Sequence, residues 1–162
     1  MLPLLIWFVV MQPEDVVPMG RLAFKIHSNL ALFFVSISIL WTADMMRRGL
    51  AGRPGPKLAP WARKTHTIMH KTIIWGLFCV GFTGFLLGLT SSVLLKAGGF
   101  LPIAPPMGWK HMNELVGDFH IIQFYTLAVI IAGHAVFHIW RHFYLRDNAL
   151  RIMAPKALHR FL

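Results

Sequence analysis

Nine histidines stand against six carboxylates in this chain, and their spacing carries chemical content. His120 and His134 lie fourteen residues apart in one apolar stretch. On a helix that separation puts them within roughly 40° of the same face and about 21 Å apart along the axis. One helix therefore presents imidazoles at two levels. His27 stands in a second apolar stretch, at the depth of His120. His66/His70 and His134/His138 are i, i+4 pairs, a spacing at which two imidazoles on one helix bind zinc. Ionisable residues in apolar helices are expensive and mark function. Imidazoles stacked at two levels suit two haems held across a bilayer, because an iron with two imidazole ligands transfers electrons.

The outer level has a complete pair, His27 and His120, with Arg21 and Lys25 nearby to neutralise haem propionates. The alternative is a pair of packed or hydrogen-bonded histidines. At the inner level His134 is well placed, and His70 is the best partner within the chain. Hydrogen bonding to a quinone, or a contact beside the haem, are competing roles for His70. His66, beside Arg63 and Lys64, reads as a solvated interfacial histidine. His138 and His142 read as interface packing, with a spare ligand or a proton carrier as alternatives. His111 and His159 read as loop and tail residues.

Membrane helices must position these side chains. The chain has 162 residues, 56% of them hydrophobic and 14% charged, against roughly 25% charged in soluble domains. A spanning helix needs about 20 apolar residues. Three stretches qualify, at 22–43, 67–90 and 119–141. A fourth, at 1–11, is half a span, and reads as the end of a helix whose start is missing. The expected fold is a single all-α membrane domain over 1–162, with three full transmembrane helices, a truncated N-terminal helix and a basic tail at 142–162. The single cysteine, Cys79, excludes a disulfide framework or a cysteine-cluster metal site, and in its apolar setting it reads as inert.

The net charge of +10 resolves into topology. Eleven basic residues flank one side: Arg47, Arg48, Arg53, Lys57, Arg63, Lys64, Arg141, Arg146, Arg151, Lys156 and Arg160. Four flank the other: Arg21, Lys25, Lys96 and Lys110. Lys71 snorkels to the basic side. The positive-inside rule then places 45–64 and the C-terminus in the cytoplasm, with anionic lipid rather than nucleic acid as the partner of the charge. Pro54, Pro56 and Pro60 stiffen the inner connection. Gly98-Gly99 and the prolines of 102–106 break the outer one, which is expected to carry a short helix near 109–115. Trp7, Trp41, Trp61, Trp109 and Trp140 sit near span ends as interfacial anchors. Gly81, Gly84 and Gly88 allow close helix packing and also make room for a flat macrocycle.

These features resemble the bacterial cytochrome b561 family of four-helix, di-haem inner-membrane proteins. The likeness runs from about Val9 to the C-terminus, without most of the family's first helix. It is carried by Lys25-Ile26-His27, by His70 with Gly81 and Gly84, by the fourteen-residue His120/His134 spacing, and by the run from His142 to Arg151 containing Asp147-Asn148-Ala149-Leu150. The resemblance implies haem b ligated by His27 and His120 at the outer level. It implies a second haem ligated by His134, whose family partner lies on the missing half helix. His70 matches a family histidine that is not usually the ligand. The implied activity is electron transfer between the quinone pool (ubiquinone) and a redox partner at the membrane face. Superoxide oxidation coupled to quinone reduction is one specific form, and service to a dehydrogenase or hydrogenase another. Two other classes compete: a transporter using the histidine pairs for a metal ion or protons, and a cofactor-poor membrane anchor or truncated cytochrome. The transporter reading lacks the intramembrane carboxylates that cation paths usually carry.

Overall fold

A computed structural model describes residues 17–49, 58–153 and 157. The half helix expected at 1–11 and most of the tail beyond Met153 lie outside the described residues. Three long helices dominate: α1 (Val17–Arg48), α2 (Pro60–Thr90) and α3 (Lys110–Trp140). Each contains a segment long and apolar enough to cross a membrane. Such a helix satisfies its backbone polar groups internally, which is what lipid requires.

The helices extend past the apolar stretches from which they were read. α2 begins at Pro60 rather than near 67. Proline suits the first helical turn, where its missing N–H costs nothing. α3 begins at Lys110, so the short helix expected near 109–115 is the first turn of α3 itself.

Between α2 and α3 lies a small hairpin that was not expected, β1 (Leu95–Ala97) paired antiparallel with β2 (Leu101–Ala104). Gly98 (φ 62°) and Gly99 (φ 82°) form its turn, closed by Phe100 N–H donating to the Ala97 carbonyl at 3.3 Å. Two successive positive φ angles are the requirement of a tight hairpin turn, and glycine meets it without strain. The Gly98 N–H also donates to Asn29 Oδ1 at 2.6 Å. That bond ties the hairpin to α1.

α2 is the central helix, packed against both α1 and α3, which make few direct contacts with each other. Glycines set the approach on both sides. A Cβ at Gly76 would stand 2.7 Å from Leu127 of α3, and one at Gly81 3.3 Å from Val35 of α1. The buried apolar core is small: Leu58, Ala62, Ile74, Leu77, Leu127 and Ala149. Large apolar side chains instead face outward along the spans, with Leu40 and Val129 each 72% exposed and Phe33 68%. In water that surface would be an association hazard, whereas against lipid it is the expected exterior.

After α3 the chain makes a π-helical turn, Arg141–Leu145, and a short helix α4, Ala149–Met153. Arg146 (φ 49°) and Asn148 (φ 58°) adopt left-handed backbone conformations that reverse the chain. Arg141 is 1% exposed. Its Nε and Nη2 donate to Asp147 Oδ2 at 2.9 and 2.6 Å, and Asp147 Oδ1 accepts the Ala149 N–H at 3.1 Å. The tail is thus stapled beneath α3 by a buried ion pair.

Candidate functional site

The chain direction alternates from helix to helix, so histidines far apart in sequence reach common levels. Near the hairpin end, α1 carries His27, α2 carries Thr83 and Gly84, and α3 carries His120. His27 and His120 are partly buried and within electrostatic reach of each other. Thr83 Oγ1 lies 3.1 Å from His120 Nδ1 and donates to Gln123 Oε1 at 2.9 Å. Gly84 lets the imidazole close in, since a Cβ there would stand 3.0 Å from His120 Cε1. A hydrogen bond at Nδ1 fixes ring orientation and leaves Nε2 as the ligand nitrogen. His27 and His120 thus offer two imidazoles, from two helices that make few direct contacts with each other, as candidate ligands for a metal or cofactor. Lys25 is exposed near His27. Arg21 lies one turn earlier on α1, with its side chain outside the described residues.

Thr83 and Gln123 are the members of this level that sequence reasoning missed. A hydroxyl on an apolar helix is a weak signal, because it is usually satisfied by its own helix. The Cys79 and Val80 carbonyls, 3.0 and 3.2 Å from Thr83 Oγ1, compete with Gln123 for the single hydroxyl proton. Cys79 itself is exposed. Gly81, Gly84 and Gly88 do not share one partner, because they face Val35, His120 and Leu95 respectively.

The basic end holds a second and denser cluster. His66 and His70 of α2 meet His134 and His138 of α3, and one ring nitrogen from each lies within 4.8 Å of the others. His66 Nε2 and His134 Nε2 each sit 3.2 Å from His138 Nε2. His70 and His134 are brought together, with ring centroids 4.7 Å apart. His66 is not a solvated interfacial residue. It is 8% exposed, because α2 starts well before it and its face turns toward α3. His138 is 4% exposed and central to the cluster rather than a packing residue. His70 Nε2 is buried and finds no hydrogen-bond partner among the described residues. The buried Arg141 lies within electrostatic reach of all four rings.

The two levels differ in what they offer. A haem needs its two imidazoles on opposite faces of a flat macrocycle. The 3.2 Å contacts join His138 to His66 and to His134, and with one nitrogen of each ring inside 4.8 Å the four histidines could hold a single metal ion or a haem iron. No family model, curated protein or solved structure matches this chain.

Proposed function

We propose that the chain is a b-type membrane cytochrome that holds a haem between His27 and His120. It exchanges single electrons between the quinone pool and a redox partner at the membrane face. The observation that carries the reading is the outer level itself. His120 of α3 is oriented through Nδ1 by Thr83, and His27 of α1 lies within its electrostatic reach. The resemblance to the cytochrome b561 family, read from residues spread along the chain, supports the same assignment.

A haem bound there would supply a one-electron couple, for which no protein nucleophile is needed. The chain's own residues do the rest. His27 and His120 supply neutral nitrogen ligands. Thr83 holds the His120 ring against rotation. Gly84 keeps the helix surface flat beside it. Arg21 and Lys25 lie on the first turns of α1, where cations neutralise propionates. The apolar exteriors of the helices keep the site in the bilayer, where quinones dissolve. Superoxide oxidation and service to a dehydrogenase or hydrogenase are specific tasks within this class. The bacterial inner membrane, with the C-terminus cytoplasmic, is the matching location.

The test is a dithionite-reduced minus oxidised spectrum and a haemochrome count on the full chain purified in detergent after haem supplementation. One b-type haem per chain is expected, and His27→Ala and His120→Ala should each remove it. A colourless wild-type protein would overturn the reading, as would unchanged haem content in both variants.

A further inference from the structure

We infer that His66, His70, His134 and His138 form a mononuclear site for a zinc-type divalent ion, separate from the haem level and cross-linking α2 to α3. The distances carry it. A tetrahedral zinc with four imidazoles at about 2.0–2.1 Å places its ligand nitrogens about 3.3 Å apart. Two of the separations here are 3.2 Å. None exceeds 4.8 Å, so the widest needs to close by about 1.5 Å at most to reach the tetrahedral spacing.

Hydrogen bonding alone satisfies this arrangement poorly. An imidazole nitrogen carries one proton or one lone pair. His138 Nε2 sits between His66 Nε2 and His134 Nε2, so one proton must be split between two acceptors. His70 Nε2 remains buried without a partner among the described residues. A cation at the centre accepts a lone pair from every ring and gives His70 Nε2 a partner, while His138 Nδ1 stays buried without one among the described residues.

The donor set selects the ion. Imidazole suits zinc, copper, iron and nickel, whereas magnesium, calcium and manganese prefer carboxylate and water. Four protein ligands leave no open position, which marks a structural site rather than a hydrolytic one. The nearby guanidinium does not oppose the charge unanswered, because Arg141 is paired with Asp147. That carboxylate is itself within electrostatic reach of His66.

The experiment uses the full-length chain in detergent, stripped with a chelator, reloaded with zinc and passed through gel filtration. The readouts are metal per chain and the zinc-edge X-ray absorption spectrum, which haem does not obscure. The expected result is one zinc retained per chain, surrounded by four nitrogens with imidazole scattering beyond them. His66→Gln and His138→Gln should each weaken retention at least about 100-fold, and His111→Gln should not. If either variant fails to fold, the wild-type spectrum decides. No stoichiometric zinc in the wild type, or a shell of oxygen ligands, would overturn the proposal. So would a second haem per chain that is lost in His134→Gln. None of these outcomes depends on whether His27 and His120 hold a haem, so the two readings fail separately.

Discussion

At the scale of single residues, the Arg141–Asp147 pair carries the largest local stake. Both side chains are 2% exposed. Burying two charges costs several kcal/mol each, which close geometry and extra hydrogen bonds must offset. Here Asp147 accepts from two guanidinium nitrogens and from a backbone N–H. Asp147→Asn keeps the shape and removes the counter-charge, so it should destabilise the chain by about 3–5 kcal/mol. A thermal melt in detergent checks this, and an unchanged midpoint would show that the buried pair contributes no net stability. Residue identity made the histidine levels legible in advance. The fourteen-residue spacing and the i, i+4 pairs need only helix geometry. The role of His66 was not legible, because basic neighbours in sequence suggested solvent. Which way its ring turns is decided by α3, more than sixty residues later in the chain. Thr83 was hidden for a related reason, since nothing local distinguishes a hydroxyl that also reaches a neighbouring ring.

At the scale of elements, α2 is the part through which both levels are built. It contributes Thr83 and Gly84 to one and His66 and His70 to the other, while glycines set how closely α1 and α3 approach it. Gly84→Val places a branched side chain where a single Cβ would already stand 3.0 Å from His120. The ring must move off its hydrogen bond to Thr83. Haem retention should fall at least about tenfold, the scale at which ligand-orienting contacts act. Zinc retention by the four-histidine cluster should be unaffected, because that cluster lies four to five turns away along α2. Equal losses at both levels would mean that the substitution had unfolded the bundle. Hydropathy located all three spans but not their ends, because it reports what lipid tolerates and not where helical hydrogen bonding stops. Neither the start at Pro60 nor the one at Lys110 has a side-chain cap, so no capping residue marks them in the sequence. The hairpin escaped notice because strands of three and four residues carry too little alternation to stand out, although Gly98-Gly99 marked its turn.

At the scale of the whole molecule, three apolar helices with outward-facing Leu, Val and Phe side chains make a body suited to lipid, and the positive-inside rule predicts its orientation. The basic flank holds the α1–α2 connection and the tail, at the end of the bundle that carries the four-histidine cluster. A C-terminal tag should therefore resist external protease in intact spheroplasts and be cut only after lysis. Cleavage in intact cells would invert the molecule and exchange the faces of the two levels. The three apolar helices were the most legible part, because hydropathy sums over many residues and does not depend on any one contact. The ion pair beneath α3 has a further consequence, for the order of assembly. Translation delivers Arg141 six residues before Asp147, so the emerging helix first presents a lone cation at its end. That cation stays at the aqueous boundary until its counter-ion follows. The last turns of α3, which bear His134 and His138, therefore gain their buried charge balance only once Asp147 has joined the chain.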